Sequence, residues 1–303
     1  MTNQFVDSTA FLTQPEQLRA RAEQDGYLFF RGLLPADAIS PVREDLLDVV
    51  ERHGWLRKGG NRSLGRLRVA ALSQEPESNM RTDIGVSRDA YHDVQKLESV
   101  HRLPHHPHLL SLYRTLFGGE TLVHARHIIR MITPHPAVFP TPPHQDFPLI
   151  QGTAQTWTCW FPIGDCPRSL GALKVLRGSQ NLGYLPIEPA KGAGAIAAQL
   201  CPGESDWVEG DFAMGDVLTF PAFMVHRALP CQFRDRIRLS FDVRYQPLVE
   251  PVEINSLRPH CELTWEQIYA DWKSNDLKYY WRDLPLKMAD WDRTLLQYGH
   301  RIC

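Results

Sequence analysis

A chain of 303 residues, 43% hydrophobic and 22% charged, has the balance of an ordinary globular protein with room for a sizeable core. Thirty-three Lys and Arg against 35 Asp and Glu leave a net charge of −2. That excludes an overall field for nucleic acid or an anionic membrane. No run approaches the ~18 apolar residues of a membrane span, and the first residues have neither the basic nor the apolar region of a secretion signal.

Helical signals dominate the first part of the chain, to about residue 120. "TQPEQLRARAEQDG" opens on a Thr and closes on Gly26, which predicts a capped helix. "GYLFFRGLLP" predicts a short apolar strand, and "PADAISPVREDLLDVVERHG" a second helix ending at Gly54. The polar segment from about Leu56 to Asp93 is long for a plain connection and is expected to be partly functional, as a lid. Its run of Arg57, Lys58, Arg62, Arg66 and Arg68 is expected to be a solvated face. "HHPHLLSLYRTLFGG" predicts a third helix, with Pro107 in its first turn.

Between about residues 121 and 247 short β-rich segments follow one another, separated by Gly, Pro, Asp and Asn: "ETLVHARHIIRMIT", "TWTCWFPIG", "GALKVLRGS", "GDVLTFPAFMVHRALP" and "RIRLSFDVRYQP". That spacing suits an antiparallel barrel or double sheet. From about 248 to 303 an aromatic-rich tail is expected to be helical. No linker divides the chain, so 1–303 reads as one domain, an all-β core buttressed by helices (α+β). The six cysteines are scattered with no Cys-x-x-Cys pair, which argues against a structural zinc site and against a disulfide framework and predicts a cytoplasmic protein.

The chemistry sits in "TPPHQDFPLIQG". His144 and Asp146 stand at i and i+2, so in an extended segment both project to one side, while Gln145 projects away. His226 follows 80 positions after Asp146, in an apolar strand that it is expected to end. Two histidines and one carboxylate on one face of an iron leave three positions open, the arrangement of non-haem Fe(II) oxygenases. In the next strand Arg236, Arg238, Ser240, Asp242 and Arg244 alternate with apolar residues. An inward Arg ten or twelve positions after His226 would clamp a dicarboxylate bidentately.

These motifs, in this order between about Gly26 and Gln246, resemble the phytanoyl-CoA dioxygenase family of Fe(II)- and 2-oxoglutarate-dependent oxygenases. The resemblance implies a double-stranded β-helix (jelly roll) and assigns His144, Asp146 and His226 as iron ligands. It implies an Arg of the last core strand as partner of the far carboxylate of 2-oxoglutarate. Arg236 is favoured over Arg238 because it keeps the interval to Ser240, whereas Arg238 forms an Arg-x-Ser arrangement with that serine. Trp160 resembles an aromatic of the cosubstrate pocket; plain core packing is the competing reading. Gln180 and Ala228 depart from the family's usual residues, and Ala228 removes an expected hydroxyl contact to the cosubstrate. The implied activity is a dioxygenase that uses O2 to oxidise, with hydroxylation favoured, a small organic substrate, converting 2-oxoglutarate to succinate and CO2. A carboxylate at position 146 argues against halogenation.

Other histidines invite the same chemistry. His101, His105, His106 and His108 are expected to form a polar helix entrance, and His260-x-Glu262 has no later histidine to complete it but His300. The loop 58–69, the residues between Arg130 and Pro142 and the aromatic tail are expected to shape the mouth. A cupin-type metal isomerase or binding protein is the alternative on a similar scaffold, but it has no need of the Arg-bearing strand.

Overall fold

The strand Arg238–Pro247 is the spine of the protein, which a computed structural model describes over residues 3–303. Its odd positions Leu239, Phe241, Val243 and Tyr245 face outward and are buried in the largest hydrophobic cluster, under the N-terminal helices. Its even positions Arg238, Ser240, Asp242, Arg244 and Gln246 face inward and are also buried. A strand covered on both faces normally reads as a continuous apolar run. Here the inner face is polar, so something other than hydrophobic packing has to satisfy it.

The fold is mixed α/β with several sheets. In the larger sheet the order is Leu28–Phe30, Val217–Pro221, Trp157–Pro162, Arg238–Pro247, then Thr121–Val123. The strand Ile128–Ile132 also pairs with the spine. A smaller sheet runs Asn3–Gln4, Trp207–Glu209, Leu173–Leu176, His226–Ala228. The inner faces of the two sheets share a second cluster that includes Phe29, Trp160, Leu218 and Phe220 from one and Val175, Val208 and Ala228 from the other. The helices Pro15–Asp25, Ala36–Arg52, Arg88–Gln95 and Pro107–Phe117 cover the outer face of the larger sheet. The helical first part is therefore not separate, since it lends a strand to each sheet.

Gly26 ends the first helix with φ +74°, and a Cβ there would collide with the Gln180 side chain. The left-handed backbone is what requires glycine, since the Gln180 side chain is flexible enough to swing aside.

Four expectations are corrected. "GDVLTFPAFMVHRALP" is not one strand: it leaves the larger sheet at Pro221, turns, and enters the smaller sheet at His226, so that His226 begins a strand rather than ending one. Proline lacks the N–H to continue a ladder. The tail is mostly irregular, with one short α-helix, Trp265–Tyr269, because its aromatics pack on one another around Trp265, Trp272 and Trp281 without helical spacing. The Leu56–Asp93 segment is no free lid: Arg62 fastens it outside to Glu44, Asp48 and Glu51 of the Ala36–Arg52 helix, while Asp83 reaches inward to a cavity wall shared with His144 and Asp146. Finally, Cys201 and Cys303 form a disulfide, because the C-terminal residues run back along the segment 187–204. The other four cysteines are free.

Candidate active site

Pro142 and Pro143 deliver an extended His144 to the edge of the smaller sheet. There His144 and His226 exchange backbone hydrogen bonds, each N–H donating to the other's carbonyl at 3.0 Å. Opposed residues of an antiparallel pair project to one face, and the two ring centroids lie 4.2 Å apart. His144 Nδ1 donates to the Pro142 carbonyl at 2.9 Å, and His226 Nδ1 to the Met224 carbonyl at 3.0 Å. These bonds fix the tautomer and leave each Nε2 lone pair free for a metal. The Nε2 atoms of His144 and His226 stand 3.5 and 3.9 Å from Asp146 Oδ1. All three residues are buried, and their donor atoms lie within 4.8 Å of one another. Gln145 turns away, donating to the carbonyls of Gly183 and Phe223 at 2.7 Å each.

The second oxygen of Asp146 is held from the larger sheet. Oδ2 accepts from Thr158 Oγ1 and from Arg244 Nη2, the latter at 3.0 Å. Burial pushes the Asp146 carboxyl up, but Arg244, His226 and His144 together hold it well below the usual carboxylate range. Burial, with His144 beside it, pushes the His226 imidazole down to about 3. The set is thus two imidazole nitrogens with free lone pairs and one anionic oxygen, which suits a divalent iron.

Along the inner face, Asp242 pairs with Arg130 at 2.5 Å and Gln246 with His124 at 2.8 Å. Arg238 is different. It is 2% exposed and has no carboxylate partner among the described residues; its Nη1 donates to the Gly171 carbonyl. Arg238 Nε, Ser240 Oγ and Trp160 Nε1 are all buried without a hydrogen-bond partner. Trp160 lies on the same inner face, opposite Asp242 in register and edge-on to Phe212. Buried polar atoms are normally satisfied. A cation and two donors left open on one face fit a dicarboxylate.

Arg236 does not share that face. The strand begins at Arg238, and Arg236 lies before it in an isolated bridge with Arg66. Its Nε donates to the Leu64 carbonyl at 3.1 Å and its guanidinium covers the Phe233 ring at 4.7 Å. Arg244, Thr158, Arg130 and Arg126 are polar site residues that the sequence reading passed over. Arg244 had a signal, the same parity as Arg238 and Ser240.

Two cavities flank the strand pair. One, of about 340 Å³, is walled by His144, Asp146 and Arg244 and extends to Arg126, Ile128 and Trp291. The other, of about 560 Å³, has Arg238, Gly171 and Ala228 in its wall and receives residues 132–141. Of residues 58–69 only Val69 lines either of these two, the one beside Arg238, so that loop does not shape the metal-side mouth; of the aromatic tail, Trp291 reaches it. His101 is buried against Trp265 and Trp272, and His105 packs on Tyr280, so only His106 and His108 form the expected polar helix entrance. His260 sits in the wall of the first cavity, hydrogen-bonded to Tyr91 at 3.0 Å.

The family described as phytanoyl-CoA dioxygenase (PhyH) matches residues 22–234. A 1-deoxypentalenic acid 11-beta-hydroxylase of Streptomyces arenae is 26% identical over 271 residues, 85% of this chain and 90% of the relative. The enzyme of the same name from Streptomyces exfoliatus is 25% identical over 272 residues, with the same coverage. Among solved structures, the epimerase SnoN in complex with Fe3+, alpha ketoglutarate and nogalamycin RO is similar, with TM-score 0.55 and 21% identity over 79% of this chain and 86% of that one. The apo non-heme monooxygenase ThoJ gives TM-score 0.54 at 18% identity, over 78% and 79%.

Proposed function

Since the chain belongs to the phytanoyl-CoA dioxygenase (PhyH) family, and is a non-haem Fe(II)- and 2-oxoglutarate-dependent oxygenase, we propose that His144, Asp146 and His226 hold its iron. The single observation that carries this assignment is the pair of imidazoles whose Nδ1 atoms are spent on carbonyls and whose Nε2 atoms converge on Asp146 Oδ1. We read the two facing sheets as a double-stranded β-helix and the whole chain as one catalytic domain, since helices and tail pack on the same sheets.

The far carboxylate of 2-oxoglutarate goes to Arg238, with Ser240 and Trp160 beside it. The support is the buried, unpaired cation of Arg238 and its orphaned neighbours. Arg236, already engaged outside the sheet, is not kept as a partner. Once bound, iron with 2-oxoglutarate and O2 supplies oxidation of a carbon centre, coupled to formation of succinate and CO2. The chain's own residues do the rest. Arg244 and Thr158 hold one oxygen of Asp146 so that the other stays aimed at the histidines. Arg238 orients the cosubstrate from the opposite end, and the cavity wall excludes water from the side where the substrate enters.

The substrate is a small organic molecule, and hydroxylation is the favoured outcome. The hydroxylase relatives support this reading. The cupin alternative lacks a use for a buried unpaired Arg238. Four free cysteines support a cytoplasmic setting, and the Cys201–Cys303 bridge counts against it. The test is anaerobic addition of Fe(II) and 2-oxoglutarate, which should give the weak visible band of the chelate, followed by succinate release on admitting O2. Folded protein that gives neither would end the assignment.

A further inference from the structure

The wall of the cavity beside Asp146 carries two kinds of residue. Ile128, Leu149, Ile150 and Trp291 are apolar. Arg126, Asn255 and Ser256 are polar and are joined to one another by hydrogen bonds. Every other full charge in the wall already has an opposite partner: Arg244 with Asp146, Arg130 with Asp242, and Asp83 with Arg81. Arg126 has no carboxylate within ion-pair distance among the described residues.

Its backbone is fixed, with N donating to the Ser256 carbonyl at 3.0 Å, and Nη1 donates to the Asn255 carbonyl at 3.2 Å. Those contacts aim the guanidinium but do not neutralise it. Burial pulls Arg126 below the usual arginine range, and Arg244 and Arg81 add repulsion. A half-buried cation with these neighbours is costly unless an anion joins it. The demand is local, since Arg238 opens to the other cavity and not to this one.

We propose that Arg126 is the anchor for a carboxylate carried by the substrate, and therefore that the substrate class is a compact apolar acid. One guanidinium matches one carboxylate in a bidentate fork. The volume, about 340 Å³, lies at the lower end of the ~300–1,000 Å³ range of small-molecule pockets and suits a compact skeleton. The apolar wall receives the skeleton while Arg126 fixes its polar end, which decides the carbon presented beside Asp146. This deepens the oxygenase reading of the same site and rests on it.

The experiment is calorimetric and needs no turnover. Matched pairs of one apolar skeleton, such as adamantane-1-carboxylate with its carboxamide and decanoate with decanamide, are titrated into the full chain. The protein is used metal-free and, anaerobically, with Fe(II) and saturating 2-oxoglutarate, so that Arg238 is occupied. At least one acid is expected to bind ten times or more tightly than its amide, as a charge-assisted bond allows. Arg126→Gln should erase that preference while leaving amide binding unchanged, and Arg126→Lys should keep part of it. No preference for any acid, no binding by any acid, or a preference that survives Arg126→Gln would each overturn the proposal. The oxygenase reading fails by a separate route, through a missing chelate band and missing succinate.

Discussion

His144 and His226 are locked to each other through their backbones before any metal is considered: each donates its N–H to the other's carbonyl at 3.0 Å. Residues 82 positions apart are thus held in register by main chain, not by side chains. His144→Ala or His226→Ala should therefore keep the fold and lose the iron. Metal content by mass spectrometry should fall to background and succinate formation with it, with far-UV circular dichroism unchanged. Loss of the dichroism signal instead would show that the imidazoles carry structure.

Arg238 and Arg236 give a sharp contrast. Arg238→Lys loses the planar fork and should raise the 2-oxoglutarate requirement well over tenfold, in line with the ~2–5 kcal/mol cost of truncating a buried charged pair. Arg236→Lys should change it less than about twofold, because that side chain serves Phe233 and Leu64 outside the sheet. The apparent 2-oxoglutarate affinity of the two variants decides, and a crippled Arg236→Lys beside a normal Arg238→Lys would reverse the assignment.

Arg244 should tune the metal without touching it. Partners that orient a metal ligand typically contribute 10–100-fold in affinity. Arg244→Gln is expected to weaken Fe(II) binding by about that factor, and Thr158→Val by less, with bound 2-oxoglutarate still recognised. Competition with a chelator measures both. Wild-type Fe(II) affinity in Arg244→Gln would mean that the Arg244–Asp146 pair does not orient the ligand.

Acid sensitivity should come from the buried histidines behind the site. Burial holds His101, His105 and His124 neutral down to pH about 4. In the unfolded chain each takes up a proton near pH 6.5. Between those values the unfolded state binds more protons, so stability falls as pH drops through the window and is flat above it. Each contributes at most about 3 kcal/mol across that range. Urea midpoints at pH 7.5, 6.0 and 4.5 should show the decline. His105 has an Nε2 without a partner, so His105→Phe should hold its midpoint at pH 7.5 and lose less on acidification. An equal acid loss in both proteins would remove His105 from this account.

Some of this was readable from sequence for a plain reason. The period-2 strand with polar even positions was visible, and so was the His144-x-Asp146 pair, because both depend only on local spacing. The choice between Arg236 and Arg238 was not. It depends on where the strand starts, and that is set when Ile237 donates to the Gly65 carbonyl and Leu67 to that of Asp235, contacts with a segment about 170 positions away. Arg126 was hidden likewise, since its lack of a carboxylate partner is a property of the folded neighbourhood. The aromatic tail misled because dense Trp and Tyr suggested helix faces, whereas the rings stack on one another across irregular backbone.

The last dozen residues have a practical consequence for anyone handling the protein. The chain passes Trp291 at the cavity wall, and Gln151 exchanges hydrogen bonds with the backbone of Asp292. It then runs along residues 187–204, where Arg301 meets Glu204 and Cys303 joins Cys201. Residues 291–303 thus clasp the segment whose Ala193 and Gly194 line the same cavity as Trp291. A reducing buffer that opens the Cys201–Cys303 bridge would loosen that clasp, so selectivity measured with and without reductant should differ.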